Sequence, residues 1–272
     1  MSILSAPAQI VTRSILDVPA LLLELLVVAA GVACFVILHA ILQRRLRSEV
    51  LRRNNEVGGY LFSAVGILYA VVLGFVVVVV WQKYDVTVSN VENEVNSVAD
   101  LFHFVDGITD PTRLEVRRDL HRYVDLVIGV EWPTMARGQP VSRAGADLLD
   151  DAFYRVDNFA PGSWKQFAAQ QSAMRSAERL VDARRSRLIE TVPAVPSVLW
   201  FALIAGAVAM IAFCYIFGVE NRPAQLLMTA ILVGLIGILF VVINEFSTPF
   251  AGSVRISPDG WLYLQQRLSY IQ

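Results

Sequence analysis

Four long apolar runs constrain this chain more than any other feature. They are Ala20–Gln43, Gly59–Trp81, Ser197–Val219 and Ala224–Phe246, in two pairs separated by the more polar segment 82–196. Each is near or above the roughly 20 residues that a helix needs to cross a hydrocarbon core. Their charge content is very low: Glu24, His39 and Glu245. A backbone in lipid must satisfy its own hydrogen bonds, so these runs are helices. The expected fold class is therefore all-α and integral to the membrane, with four transmembrane helices and a helical extramembrane insert between the second and third. The expected divisions are an N-terminal segment 1–19, the first two spans in 20–81, a helical bundle in 82–196, spans three and four in 197–246, and a tail helix at the membrane interface in 247–272.

Composition narrows the function classes. The chain is 56% hydrophobic with a formal net charge of −1, so it offers no electrostatic footprint for a nucleic acid. Its two cysteines, Cys34 and Cys214, fall inside apolar runs and read as small apolar residues, without a disulfide framework or metal site. The first run is too long for a cleaved signal peptide and leads straight into Arg44, Arg45 and Arg47. No lipidation motif is expected, since Ser2 stands where myristoylation needs glycine.

Arginines set the expected orientation. Arg44, Arg45, Arg47, Arg52 and Arg53 lie between spans one and two, and Arg222 between spans three and four. The positive-inside rule places both turns in the cytoplasm. The insert and both termini then lie outside, in the periplasm of a bacterium whose inner membrane holds the protein. Arg179, Arg184, Arg185 and Arg187, just before span three, run against this trend. Long segments translocate largely regardless of charge.

Span two does not stop at the membrane. Its 3-4 spacing runs through Ser63, Ile67, Ala70, Gly74, Val77, Trp81, Tyr84, Val88, Val91, Val95, Val98, Phe102 and Val105. This predicts one helix from about Tyr60 to Val105, with its outer half reaching on the order of 35 Å past the bilayer at 1.5 Å per residue. Within the membrane the stripe is small, at Ser63, Ala70 and Gly74, which suits close helix approach. Further on, Val116, Leu120, Tyr123, Val127 and Val130 form a second stripe, and a third helix is expected near Ala144–Val156. Ser163 and Gln166 read as a capping box opening a long helix with the stripe Phe167, Met174, Ala177, Val181 and Leu188. No alternating strand pattern of useful length is visible. Gly234 and Gly237 suit close packing in span four, and Trp261, Leu264, Leu268 and Ile271 give the tail one apolar face.

Catalytic signatures are not found: no P-loop, dinucleotide fingerprint, zinc-protease motif or nucleophile elbow occurs. An enzyme is not expected, nor a cofactor or metal. His103 and His121 lack partners at ligand spacing, and Asp147, Asp150 and Asp151 lack the spacing of a calcium loop. The candidate residues are therefore of two kinds. Ser63, Ile67, Ala70, Gly74 and Val77 are candidates for a pore or for helix packing. Glu24, His39, Asn244 and Glu245 are polar groups within the membrane, where charge is costly and tends to be functional. Glu24 and Glu245 fall near the same outer face, as headgroup-seeking side chains or as a proton-linked pair or ion-attracting vestibule.

Three stretches resemble a known family. Leu61 to Phe75, followed by Trp81, Tyr84 and the valine-rich helix, is similar to the bestrophin-like domain family. So are Glu131-Trp132-Pro133 with Met135 to Gly138, and Pro249-Phe250-Ala251-Gly252 followed by Ile256-Ser257-Pro258. The resemblance implies a distant likeness to bestrophin anion channels: pentamers with four spans, a pore lined by the second, and a long cytosolic segment between the second and third. On that basis the expected function is a homo-oligomeric ion-channel-like membrane protein, with span two framing a largely apolar pore and an inorganic ion as its cargo. The alternative is a non-conducting scaffold or sensor whose helical bundle binds a partner. A transporter is less favoured, because the span pairs show no internal repeat and no broken helix with converging polar groups.

Overall fold

The computed structural model describes residues 14–45, 55–219 and 221–270. Four of its helices are long and apolar enough to cross a membrane: α1 (Val18–Arg45), α2 (Asn55–Phe104), α7 (Ser197–Ile216) and α8 (Arg222–Ser247). Between α2 and α7 come α3 (Thr112–Leu126), a π-helical turn (Val127–Glu131), the short α4 (Trp132–Ala136), α5 (Ala144–Asp157) and α6 (Trp164–Ile189). A tail helix α9 (Asp259–Ser269) follows α8. Two three-residue strands, β1 (Ser14–Leu16) and β2 (Val254–Ile256), pair with each other. They are too short to carry a period-two pattern, which is why the sequence did not announce them. Most of the arginine-rich loop, 46–54, lies outside the described residues.

The chain divides into two compact units. The first joins Leu16–Lys83 to Pro193–Ser247 and holds the four apolar helices. In it α1 packs chiefly on α8. A Cβ built on Gly237 would sit 2.7 Å from Val28, so this contact requires glycine. Gly206 of α7 likewise leaves room for the Tyr69 ring of α2, at 2.4 Å from where its Cβ would be. Tyr69 then donates to the Leu203 carbonyl at 2.9 Å. The unit's core is Leu73, Val76, Val80, Val195, Leu203 and Ile243.

The second unit joins Tyr84–Val192 to the C-terminal residues from Thr248. The helix expected from Tyr60 to Val105 is continuous over the 50 residues of α2, and Val91, Val95, Val98 and Val105 are fully buried. Ser163 caps α6 by accepting from the Gln166 amide at 3.3 Å, while the Gln166 side chain accepts from Gly162. Two stripes differ from expectation. The π-helical turn adds a residue to the helical period. It swings Val130 out to 49% exposure and turns Glu131 in to 1%. On α6 the buried face is Ala173, Ala177, Leu180, Ala183, Arg184 and Arg187, while Phe167 is exposed. Small residues admit the neighbouring helices, and carboxylates facing the two arginines remove the usual objection to burying them. The tail differs too. Trp261, Leu264 and Leu268 are buried against the insert, where Trp261 meets Tyr123 at 5.9 Å and Gln265 donates to Asp125 at 2.7 Å. Leu262, Tyr263 and Tyr270 remain outward.

Candidate functional site

The candidate face of α2 turns away from its own chain. Its covered side is Phe62, Val65, Tyr69, Leu73, Val76 and Val80, packed among the residues of α7 and α8. About a quarter-turn round the helix, Ser63, Ile67, Ala70 and Gly74 are exposed, Ile67 to 66%. Val77 is half-buried against the core. The Ser63 hydroxyl donates back to the Gly59 carbonyl at 2.9 Å, so it presents no spare donor. No atom lies within 4 Å of a Cβ built on Gly74. Within one chain, then, Gly74 is an open position and Leu73 a packed one. Among the four apolar helices, the close approaches within one chain that demand glycine fall on α7 and α8, at Gly206 and Gly237.

The intramembrane polar residues separate into two sites in the same unit. Glu24 is half-buried on α1 and Glu245 is buried on α8, and the two side chains interact. Asn244, beside it, is exposed.

His39 is fully buried at the other end of the same helices. Gln43 donates to Gln225 Oε1 at 2.6 Å and lies 3.1 Å from His39 Nε2. An amide nitrogen only donates, so Nε2 is the acceptor and Nδ1 carries the ring proton, given to Thr229 Oγ1 at 2.9 Å. Thr229 donates to the Gln225 carbonyl at 3.0 Å. Gln225 donates to the Cys214 and Phe217 carbonyls, at 3.2 and 2.6 Å, and so caps the end of α7. Every donor in this chain of bonds has an acceptor. Through these bonds His39 ties α1 to the turn between α7 and α8.

The insert holds a cluster that sequence reasoning missed. Arg187 is fully buried. It donates to Glu94 through Nε at 2.5 Å and Nη2 at 3.0 Å, and to Glu131 through Nη2 at 2.6 Å. Arg184 holds the other Glu131 oxygen at 2.6 Å, and the Tyr123 hydroxyl donates to Glu94. Burial works against the charge on Arg187, but Glu94 and the other partners hold its guanidinium above its ordinary range. Burial, then the Glu94 charge, pushes the Tyr123 phenol well above its own, so it remains a donor. Two arginines against two carboxylates balance inside the bundle. A signal for this was present: Glu94 adjoins the valine stripe, three residues after Val91 and one before Val95, and Arg184 and Arg187 share a helix face at i, i+3. Among the described residues, no three metal-ligating side chains come together to hold an ion.

The comparison with known families settles what this architecture is. A bestrophin-like domain matches residues 25–261. The chain belongs to the bestrophin-like family. It is thus a helical, multi-pass membrane protein, as the four apolar helices indicate. A mutant of a bacterial bestrophin homolog from Klebsiella pneumoniae is similar at 12% identity, with a TM-score of 0.62, over 88% of this chain and 98% of that one. A crystallised membrane-protein mutant gives 11% identity and a TM-score of 0.64 over 89% and 98%. At such identity the likeness is one of fold. No curated protein sequence matches the chain. Two family-resembling stretches bear on the cluster: Glu131-Trp132-Pro133 supplies Glu131, and Phe250 packs edge-on against Trp132 at 5.4 Å.

Proposed function

We propose that this bestrophin-like protein is a homo-oligomeric ion channel whose second span frames a largely apolar pore. The observation that carries this reading is the face Ser63, Ile67, Ala70 and Gly74. It is uncharged, mostly small, and uncovered by the other three spans. Small residues in lipid favour helix association, so this face is suited to meet further copies of the chain. A path lined by Ile67 and its neighbours has no fixed charge. It would select by hydration and gate by dewetting at its apolar constriction. The arginine loop supports a cytoplasmic position for residues 44–53, with the insert and both termini outside the inner membrane.

Two experiments test this reading. Purified protein reconstituted in a planar bilayer should give discrete currents, and Ala70→Phe should alter their conductance. Protein that inserts and assembles without current would favour the second reading, a non-conducting scaffold or sensor. That reading draws on the exposed pair Trp164 and Phe167, stacked at 5.3 Å on the insert. For orientation, Cys34 and Cys214 are replaced by serine and Asn96→Cys introduced. An external insert predicts labelling by a membrane-impermeant thiol reagent in spheroplasts. Labelling only after lysis would reverse the topology.

A further inference from the structure

Between α5 and α6 the insert carries a cavity of about 400 Å³, within the range of small-molecule sites. Ala146, Leu149, Val181 and Leu188 form its apolar walls, and Arg184 and Arg185 are its basic lining residues. Arg184 is 7% exposed and bonds to the protein through Nη2 alone, on Glu131, while its Nε is buried without a partner. Arg185 has an exposed side chain whose ion pair, with Asp182, is stretched to 3.9 Å. One carboxylate opposes them on the wall, Asp150, which lies 4.0 Å from Arg143.

A guanidinium is matched in shape by the two oxygens of a carboxylate, and Arg185 keeps its own exposed beside the cavity. The apolar walls disfavour a fully hydrated inorganic anion and favour a hydrocarbon body. We propose that this cavity binds an aliphatic monocarboxylate. Its carboxylate lies on Arg184 and Arg185, and its chain lies against Leu149, Val181 and Leu188. The bound carboxylate shares Arg184 with Glu131. Glu131 in turn holds Arg187, which holds Glu94 of α2. Occupancy is therefore felt, through three bonded charges, by the helix that begins as the second span.

The test is calorimetric titration of the full-length protein in detergent with hexanoate at neutral pH. Saturable binding of one hexanoate per chain is expected, with none for hexanol. Arg185→Gln, at an exposed side chain, should weaken it roughly tenfold, the worth of one charge-assisted hydrogen bond. Ala146→Phe should abolish it by filling the cavity. Thermal melts of both variants check folding, and Arg185→Gln keeps the test valid if Ala146→Phe does not fold. No saturable heat, equal binding of hexanol, or hexanoate affinity unchanged in Arg185→Gln would overturn the proposal. Chain length separates the source. Affinity rising about fourfold per added methylene up to dodecanoate marks a membrane fatty acid, and a plateau at hexanoate marks a water-soluble acid.

Discussion

Removing Arg187 should be among the most damaging side-chain truncations in the insert. Arg187→Met keeps an unbranched body and deletes three charge-assisted hydrogen bonds to Glu94 and Glu131. Breaking a buried pair in this way costs about 3–5 kcal/mol, because the partner is left charged and unpaired. Protonation sets a ceiling. A glutamate with an ordinary pKa near 4.3 can be neutralised at pH 7 for about 3.7 kcal/mol, at about 1.36 kcal/mol per pH unit. Glu131 retains Arg184, and Glu94 retains only the Tyr123 hydroxyl, so Glu94 bears the loss. Melts of Arg187→Met should therefore show a deficit of about 3–4 kcal/mol at pH 7, relative to the parent. Adding Glu94→Gln should recover part of the loss, since it removes the orphaned charge. A deficit below about 1 kcal/mol, or no recovery on adding Glu94→Gln, would refute the argument that this cluster is a desolvated, charge-balanced unit.

Gly206→Ala should disrupt the packing of α7 on α2, because its Cβ would lie 2.4 Å from the Tyr69 ring; lowered yield and a lower melting temperature in detergent are the readouts. Gly74→Leu should leave the single chain folded, having open space there, and instead change the assembly mass by light scattering; loss of folding would contradict the open face. Val91→Pro should prevent folding, since Val91 is fully buried in mid-helix and proline there costs about 3 kcal/mol or more. Gln225→Leu strands two carbonyls at the end of α7, each worth about 1–3 kcal/mol when buried unsatisfied; the melting temperature should fall, and an unchanged value would show that the His39 knot is dispensable.

The four spans and the long helix were readable because their physics is local. A run of apolar residues near 20 long has few alternatives to a helix in lipid. The valines from Val91 to Val105 keep their spacing, so α2 could be traced from its own residues. The capping of α6 by Ser163 was legible for the same reason. Other features were not local. Val130 follows the expected period, yet the π-helical turn faces it outward and buries Glu131. Gly74 sits among small residues but has open space around it within one chain, whereas among the apolar helices Tyr69 needs glycine at Gly206 and Val28 needs it at Gly237. The tail's apolar face was plain, but whether lipid or the insert covered it depended on Tyr123 and Asp125, far away in sequence.

Sequence by itself determined the membrane class, the number of spans and the helical insert, because hydropathy and helical period are properties of neighbouring residues. Only the tertiary structure decided the roles of the charged groups. Glu94 beside a valine stripe, Glu131 before a proline and two arginines on a distant helix each look like solvated charge in isolation. They become a neutral buried cluster only when three helices bring opposite charges within about 3 Å, where attraction and hydrogen bonds offset the cost of leaving water.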